Sequence, residues 1–416
     1  MRIAIFDYLT IRNNPTGGCN IQLLAGLCQE HEFTVFSAAF DNPCPERIRW
    51  IRVPVPRRPL ALLFLAFHII AGFCLLWYRL RGGKPFDVVQ TGESNLLFGD
   101  VCYVHFCHRA FLRNHWKRVR TRGVRGAFRW LDHWLHAMLE PVVYRRRKLL
   151  VVPSRGLAEE LSKEYPAVCG KVKVIPNPVD VAKMRQPEDF DRRAFRARLG
   201  IDEDETVLLF CALGHFERKG LPLLLAALQE FQDVRWKLIV VGGEADTVAA
   251  YRRISRSDRI IYAGMQSDVR PFLWASEAFV LPSAYETFSL VTFEAAAAGV
   301  PPVVPRLYGI EDFLRDGENG IYLVRTDAGV KAALKRFFSL DSATLRRMGQ
   351  QARCDVDSYS APAFVQHWSW LYERVTVDLQ SAGGSANRCS IHVPAAKTGN
   401  VVQIRHKPSE TGPLNE

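Results

Sequence analysis

The stretch Tyr285-Glu-Thr-Phe-Ser-Leu-Val-Thr-Phe-Glu294, followed by four alanines and Gly299, decides how the rest of the chain is interpreted. An apolar run from Ala278 to Leu281 precedes it and predicts a buried strand that ends at Pro282-Ser283. The alanine-rich segment with its closing glycine predicts a helix. Two glutamates therefore flank a predicted strand-to-helix junction.

The position of these two glutamates indicates the shape of a ligand. In an open α/β sheet the ligand crevice lies at the carboxyl ends of the strands, where helix N-termini offer unpaired N–H groups to an anion. Eight residues of helix rise roughly 12 Å, so we expect Glu286 and Glu294 to contact opposite ends of one elongated ligand. That ligand would carry hydroxyls at both ends and an anion in the middle. A nucleotide-sugar has this shape.

The same motif carries a family resemblance. Glu-x7-Glu after a strand that ends in Pro-Ser, with Gly-Val-Pro-Pro-Val-Val-Pro at 299–305, resembles the retaining glycosyltransferases of family four. Resembling motifs extend from the N-terminus to about Val375. The resemblance implies an α/β protein with the GT-B fold, in which two Rossmann-like doubly wound domains face each other across a cleft.

The expected domain organisation has four parts. Pro176-Asn177-Pro178 forces an extended segment that looks like the linker of the family. We therefore predict an N-terminal acceptor-binding Rossmann-like domain over residues 1–176 and a C-terminal nucleotide-sugar-binding Rossmann-like domain over 177–358. Residues 359–377 are expected to form a helix that crosses back to the N-terminal domain. Residues 378–416 lack periodicity and predict a disordered tail.

Composition limits the partners and the compartment. The 55 Lys and Arg exceed the 43 Asp and Glu by 12, which favours phosphates, a membrane surface or nucleic acid as partners. Ten cysteines without a C-x-x-C pair indicate reduced thiols. The N-terminal segment Met1 to Phe6 lacks the layout of a signal peptide. We expect a cytoplasmic protein and leave peripheral binding to the cytoplasmic face of the membrane open.

Residues 60–78 are apolar except for His68, and their length approaches the roughly 20 residues that span a bilayer. A glycine-rich turn and the predicted strand Phe86–Gln90 follow, which is the order of a crossover helix in a parallel sheet. If the segment spanned a membrane, strands of one sheet would lie on opposite sides of it. We expect a helix that is buried or touches the membrane, and leave that choice open.

Aromatic residues alternate with cations from Tyr103 to Trp130. This pattern suits the headgroup layer of an anionic membrane or an anionic acceptor, although a solvated face is a further alternative. No nucleic-acid-binding motif accompanies the cations, so we expect no nucleic acid. His105, just after an apolar strand, matches a position that faces the reacting centre in similar enzymes. A purely structural histidine remains the alternative for it, and His108 is expected only to orient the loop.

Glycines at strand ends are further candidates for donor binding. Gly17 and Gly18 follow the predicted strand Ile3–Phe6 and let backbone approach a ligand closely. The pattern is not G-x-G-x-x-G, so a dinucleotide site is not supported. By resemblance this double glycine lies near the donor diphosphate, with an ordinary tight turn as the alternative. The backbone near Gly264 is where the family cradles the base.

A second predicted strand, Thr206–Cys211, leads into the segment Gly214-His-Phe-Glu-Arg218-Lys219-Gly220 and a helix with proline in its first turn. Two adjacent cations, glycines and a helix N-terminus together predict a diphosphate site. Arg218 and Lys219 also match the Arg-Lys-Gly of similar transferases, where the cations neutralise the leaving diphosphate. Gly214 belongs to the same predicted donor-binding loop.

The resemblance implies roles for the residues of the opening motif. Glu286 would contact hydroxyls of the donor sugar, and Glu294 would bind the ribose. The backbone N–H groups of Phe288, Ser289 and Leu290 would hold phosphate. Glu286, His105 and the two cations form the predicted catalytic set, whereas Glu294 and the three backbone amides are predicted to bind the donor.

Neither a metal nor another cofactor is predicted. The Asp-x-Asp triplets at Asp189–Asp191, Asp202–Asp204 and Asp355–Asp357 lie outside the expected crevice. The pair Arg218 and Lys219 supplies the charge that a metal would otherwise give to the leaving group. The nucleoside diphosphate sugar is a co-substrate.

The predicted function is metal-independent transfer of a hexose-type sugar from a nucleoside diphosphate sugar to a glycan or lipid-linked acceptor. The family implies retention and a place in cell-surface polysaccharide or glycolipid synthesis. A non-hydrolysing nucleotide-sugar epimerase is one alternative. A membrane-binding protein with a degenerate transferase domain is another, although intact Glu286, Glu294, Arg218 and Lys219 argue against it.

Overall fold

The computed structural model describes residues 1–56, 60–119, 123–255 and 257–381. Arg120 and Arg122 of the basic stretch lie outside these ranges, as does the predicted disordered tail from residue 382 onward.

The strands of the described residues fall into two large parallel sheets and one small pair. In chain order they are β1 (Arg2–Phe6), β2 (Leu9–Thr10), β3 (Glu32–Ser37), β4 (Ala39–Phe40), β5 (Arg49–Arg52), β6 (Val88–Gly92), β7 (Val101–Tyr103), β8 (Leu149–Val152), β9 (Val172–Val174), β10 (Thr206–Cys211), β11 (Trp236–Val241), β12 (Ile260–Gly264), β13 (Ala278–Val280), β14 (Pro302–Pro305) and β15 (Ile321–Leu323).

Helices connect and cover these strands. They are α1 (Pro15–Leu27), α2 (Leu60–Leu80), α3 (His108–Asn114), α4 (Trp116–Val119), α5 (Gly123–Arg146), α6 (Arg155–Glu164), α7 (Val181–Met184), α8 (Arg192–Arg198), α9 (Phe216–Lys219), α10 (Leu221–Leu228), α11 (Ala245–Ile254), α12 (Arg270–Trp274), α13 (Leu290–Ala297), α14 (Ile310–Phe313), α15 (Asp327–Phe338), α16 (Ser342–Asp355) and α17 (Ala361–Ser381).

Both large sheets are doubly wound. The N-terminal sheet has the order β5-β3-β1-β6-β7-β8-β9, and the C-terminal sheet has the order β12-β11-β10-β13-β14-β15. Central strands such as β10 are buried along both faces, as parallel strands covered by helices on two sides must be. The predicted fold of two Rossmann-like domains is confirmed.

The strand order fixes where a ligand binds. In each sheet the chain reverses its direction of travel next to the first strand, between β1 and β6 in one sheet and between β10 and β13 in the other. Crevices at the carboxyl ends of strands open at such switch points. The segments that follow β10 and β13 are the two predicted donor motifs, so the topology brings them together.

The last helix, α17, packs against the N-terminal sheet. Trp368 and Tyr372 are buried in the core that also contains β1 and α1. The Tyr372 hydroxyl donates to Oε1 of Gln90 in β6 at 2.5 Å. A Cβ atom on Gly26 of α1 would lie 2.4 Å from the Val365 side chain, so the two helices touch closely. The N-terminal core is therefore completed by the C-terminal end of the described chain. Residues 378–381 also belong to α17, so the prediction of a disordered tail from residue 378 is wrong for them.

The apolar segment at 60–78 belongs to α2, and its two faces differ. Phe67 and Ala71 are buried against the N-terminal sheet, whereas Ile69 and Phe73 are 61% and 65% exposed. Among the described residues α2 alone is long and apolar enough to cross a bilayer. Its inner face is instead part of the protein core, because α2 connects β5 to β6 of the same sheet.

Candidate active site

A glycine joins the two predicted donor motifs. Gly220, between α9 and α10, has φ +86°, and a Cβ atom there would lie 2.1 Å from the carbonyl oxygen of Pro282. Only glycine permits both the left-handed backbone and this approach. The backbone N–H of Ala284 then donates to the carbonyl of Arg218 at 2.9 Å. The cationic loop after β10 and the glutamate motif after β13 are therefore one structural unit.

Lys219 and Glu286 form an ion pair across this unit. Lys219 Nζ lies 2.5 Å from Glu286 Oε1, and the two side chains are only 16% and 10% exposed. The hydroxyl of Ser283 donates to the same carboxylate oxygen at 2.7 Å. A residue predicted for the diphosphate and one predicted for the sugar of the donor thus contact each other directly. Glu286 is held in one orientation, and Lys219 has a carboxylate as its counter-charge.

Arg218 has no carboxylate partner among the described residues. Its Nη1 donates to the carbonyl of Tyr285 at 3.2 Å, while its Nε is buried without a hydrogen-bond partner. Burial and the charge of Arg218 lower the pKa of Arg129 in α5. Burial, Arg129 and Arg218 together lower the pKa of His133, also in α5, to about 4. Arg129 of the N-terminal domain and Arg218 of the C-terminal domain are therefore close enough for their charges to interact. An anionic ligand between them would stabilise this arrangement.

Glu294 lies in the middle of α13, close to the end of β10. Burial raises the pKa of Glu294, and its charge contributes to the raised pKa of the Cys211 thiol. In the described part of the chain its carboxylate has no hydrogen bond or ion pair, so it is available to a ligand. Because α13 begins only at Leu290, Glu286 precedes the helix in a loop. The expected separation of eight helical residues between Glu286 and Glu294 is therefore wrong.

The predicted phosphate-binding amides are partly used within the protein. The backbone N–H of Leu290 donates to the carbonyl of Phe288 at 3.1 Å. The ring of Phe288 stacks on Phe293 at 4.3 Å, and the hydroxyl of Thr292 donates to Ser289 Oγ at 2.9 Å. In this conformation the Leu290 amide is occupied, which corrects the expectation of three free N–H groups. For Phe288 and Ser289 the phosphate role stays a prediction.

Gly17 and Gly18 lie inside the first turn of α1, which begins at Pro15 rather than after the glycines. A Cβ atom on Gly17 would lie 2.3 Å from the carbonyl oxygen of Leu9, whereas one on Gly18 would lie 3.5 Å from Arg12. Close packing of the protein's own backbone therefore accounts for Gly17. The contact of either glycine with a donor stays a prediction.

Gly214 and Gly264 are less constrained by their surroundings. A Cβ atom on either residue would meet nothing within 4 Å in the described structure. Gly264 has φ +67° at the end of β12, and its carbonyl accepts from the N–H of Gly242 at 2.7 Å. His215, next to Gly214, also has a positive φ of 57°. The open space leaves room for a ligand beside both glycines.

His105 follows β7 at the carboxyl edge of the N-terminal sheet. Its Nε2 lies 3.1 Å from Asn177 Oδ1, and its Nδ1 is buried without a partner among the described residues. Burial lowers the pKa of His105 to about 4, so the ring is neutral at pH 7. Asn177 also accepts from the hydroxyl of Tyr103 at 2.6 Å. Sequence reasoning assigned Asn177 to the linker only and missed this contact.

The backbone N–H of His108, the first residue of α3, donates to Glu140 Oε1 at 2.6 Å. The role of His108 in orienting the loop stays a prediction.

The two domains meet beside the glutamate motif. The hydroxyl of Ser154, at the end of β8, donates to the carbonyl of Thr287 at 2.9 Å. The rings of Phe106 and Tyr285 lie 5.5 Å apart, and Tyr285 donates to Glu160 of α6 at 3.4 Å. The loop that carries Glu286 thus contacts the N-terminal domain on several sides, and both domains line the cleft.

No group of three or more His, Cys, Asp or Glu within the described ranges could hold a metal ion. Asp202 and Asp204 pair with Arg235, and Asp355 pairs with Arg315. Asp191 accepts from the N–H of Ala194 and caps α8. These carboxylates therefore have structural partners away from the cleft. Metal independence of the reaction stays a prediction.

Two family models and several relatives match the sequence of this chain. Residues 20–183 match the model for "Glycosyltransferase Family 4", and residues 205–339 match "Glycosyl transferases group 1". A "Probable transglycosylase" of Burkholderia thailandensis is 31% identical over 307 residues, which cover 72% of this chain and 76% of the relative. The lipopolysaccharide core biosynthesis glycosyltransferase LpsE of Rhizobium meliloti is 35% identical over 154 residues, which cover 36% of this chain and 45% of LpsE.

Solved structures share the architecture. The crystal structure of WaaG, "a glycosyltransferase involved in lipopolysaccharide biosynthesis", superimposes with a TM-score of 0.71 at 17% identity and covers 90% of this chain and 99% of WaaG. Anabaena Alr3699/HepE in complex with UDP-glucose gives a TM-score of 0.66 at 16% identity, covering 92% of this chain and all of HepE.

Two parallel doubly wound sheets around a cleft define the GT-B class of glycosyltransferases. The chain belongs to the family-four type of this class. Family models match both of its domains, and the Burkholderia relative aligns with it over about three quarters of the relative's length.

Proposed function

We propose that the protein transfers a hexose-type sugar from a nucleoside diphosphate sugar to a glycan or lipid-linked acceptor. The observation that carries the proposal is the Lys219–Glu286 ion pair beside Arg218, whose buried Nε has no partner among the described residues. A fixed carboxylate suits the hydroxyls of a sugar, and an unneutralised guanidinium suits a diphosphate. Their adjacency matches the junction between the sugar and the diphosphate of one donor.

Each group has a role in the proposed reaction. Glu286 holds hydroxyls of the donor sugar, and Glu294 accepts from the ribose at the other end. Arg218 stabilises the charge that develops on the leaving diphosphate, and Lys219 adds to it while orienting Glu286. Because these charges are held in place before the reaction, they stabilise mainly the charge that develops in the transition state.

The reaction needs no separate carboxylate base when it proceeds with retention. The acceptor hydroxyl attacks the anomeric carbon on the face from which the diphosphate leaves. A bond forms between the acceptor oxygen and this carbon while the bond to the phosphate oxygen breaks. The hydroxyl proton passes to the leaving phosphate oxygen. His105 is neutral at pH 7 because burial lowers its pKa to about 4. Its Nε2–H donates to Asn177 Oδ1, so its Nδ1 can accept a hydrogen bond without adding charge.

The names of relatives support a class of acceptor and donor. LpsE acts in lipopolysaccharide core biosynthesis, and HepE binds UDP-glucose. We therefore propose a cell-surface polysaccharide or glycolipid as the product and a cytoplasmic enzyme that is peripherally bound to the membrane.

Glu294→Gln should raise the donor KM by about tenfold with a smaller change in kcat, because one charge-assisted hydrogen bond to the ribose becomes neutral. Steady-state kinetics at saturating acceptor would measure it, with the exposed Glu188→Gln as the matched control. Unchanged donor KM and kcat in Glu294→Gln would reject the ribose role.

Activity should persist after dialysis against EDTA, because cationic side chains stabilise the leaving group in the proposed reaction. Initial rates before and after chelation would show this. A loss of activity that Mn²⁺ or Mg²⁺ restores would contradict metal independence.

A further inference from the structure

Helix α5 exposes a stripe of apolar side chains and buries polar side chains next to its core residues Val143 and Tyr144. Phe128, Leu131 and Met138 point outward along one stripe and are 53%, 37% and 54% exposed. The opposite stripe carries His136 and Glu140, which are buried. A helix on a protein surface normally turns its apolar stripe inward and its polar stripe to water. The outward stripe of α5 is therefore suited to an apolar medium.

Helix α2 extends this outward stripe. Leu65, Ile69, Phe73 and Leu76 recur at helical spacing on its outer side and are each about half exposed or more. The two helices pack side by side, with the ring of Phe64 in α2 only 4.1 Å from that of His136 in α5. We call the outward stripes of α2 and α5 together the apolar surface.

The charges around the apolar surface are positive. The sequence has no Asp or Glu from Leu60 to Phe86 or from Tyr103 to Leu131. At the end of α2 the guanidinium of Arg81 lies over the ring of Trp77 at 4.3 Å, and Arg145 and Arg146 are exposed at the end of α5. Exposed tryptophan, apolar side chains and cations without nearby acids are the combination that binds the headgroup layer of an anionic bilayer.

The inward stripe of α5 connects this surface with the cleft. It contains His133, whose ring stacks on that of Phe106 at 5.4 Å, and Phe106 lies 5.5 Å from Tyr285 in the cleft. It also contains Arg129, whose pKa is lowered first by burial and then by the charge of Arg218. It also contains Asp132, whose side chain is 15% exposed and which lies 4.0 Å from His136 Nε2. One helix thus presents apolar groups outward and polar groups toward the donor cations.

We propose that the apolar surface rests in the headgroup layer of an anionic bilayer, and that the acceptor is a lipid whose polar part reaches the cleft past the end of α5 that carries Arg129. This inference rests on the proposed function for the identity of the cleft. The lipid anchor of the acceptor would stay in the bilayer during transfer. Helix α2 would lie flat on the membrane and not cross it.

The binding step can be tested without turnover. We expect the full chain to co-sediment with vesicles of phosphatidylcholine and phosphatidylglycerol, and less with phosphatidylcholine alone. Ile69→Ser/Phe73→Ser should reduce the partition coefficient at least about tenfold, because two large apolar side chains leave the interface. The control is Ile254→Ser, since Ile254 is 81% exposed on α11 of the other domain. Met138→Ser/Val142→Ser on α5 is a second variant in case the first fails to fold.

The possible results distinguish membrane docking from the proposed transferase function. Absence of vesicle binding by the wild type, or equal binding by folded variants of the apolar surface, would overturn the inference. A dimer in gel filtration that Ile69→Ser/Phe73→Ser converts to a monomer would assign the surface to a second copy of the chain, and would also overturn it. Slow hydrolysis of the donor without acceptor should be unchanged in these variants. If hydrolysis is missing from every protein while vesicle binding remains, the proposed function fails and membrane docking stands.

Discussion

Replacing Arg218 and Lys219 together by alanine should lower kcat by about 10²- to 10³-fold, the usual effect of removing preorganised charge from a developing anion. The guanidinium of Arg218 is bound only to the carbonyl of Tyr285 within the described structure, so its charge is free to act on a ligand. Lys219 adds a second positive charge next to the sugar-binding carboxylate. The measurement is the initial rate of nucleoside diphosphate release at saturating donor and acceptor.

A matched pair of cations serves as the control. Arg346 and Arg347 are also adjacent, but both are exposed on α16, far along the chain from either donor motif. Arg346→Ala/Arg347→Ala should keep wild-type kcat and KM. Full activity in the Arg218 and Lys219 variant would refute the assignment of the diphosphate site.

Glu286→Gln should reduce kcat by about 10²-fold and also destabilise the protein. The carboxylate accepts from Ser283 and from Lys219, and the pair is mostly buried. Removing one partner leaves a buried charge without compensation, which costs about 3 kcal/mol of unfolding free energy. Urea denaturation and steady-state kinetics on the same preparation would measure both effects.

A double variant separates the loss of stability in Glu286→Gln from its loss of activity. Lys219→Met/Glu286→Gln removes both charges, and replacing a whole buried ion pair by uncharged groups is close to neutral for stability. We expect the double variant to regain most of the stability and none of the activity. Recovery of activity along with stability would show that the ion pair only supports the fold.

The sequence was most informative about features that lie within one short segment of the chain. The strand before Pro282 lies in one short segment, and the strand before Arg218, Lys219 and Gly220 lies in another, so local patterns predicted both strands. That the two motifs bind a donor stays a prediction. The doubly wound sheets were expected from the family resemblance that these motifs carry, and the apolar strands that alternate with helices agree with that expectation.

Contacts between distant segments could not be predicted in the same way. The hydrogen bond from His105 to Asn177 joins residues 72 positions apart, and the Lys219–Glu286 pair joins residues 67 positions apart. The start of α13 was placed too early because the loop before Leu290 has no proline or glycine to mark its end. The prediction for residues 103–130 treated the cations as one surface, whereas Arg129 turns inward to the cleft.

The structure also shows that one side of α2 is buried and the other is exposed. The segment is apolar around its whole circumference, so periodicity cannot tell which side the sheet covers. Only the packing of Phe67 and Ala71 against the N-terminal sheet identifies the inner face.

The central claim is that the cleft activates a nucleoside diphosphate sugar for transfer. The direct measurement is to incubate the purified protein with UDP-, GDP- and ADP-sugars in turn, without acceptor, and to analyse the products by anion-exchange chromatography and NMR. We predict slow release of nucleoside diphosphate and free sugar from one of these donors, and loss of that release in Arg218→Ala/Lys219→Ala. An epimerised nucleotide-sugar, or no reaction with any donor, would contradict the claim.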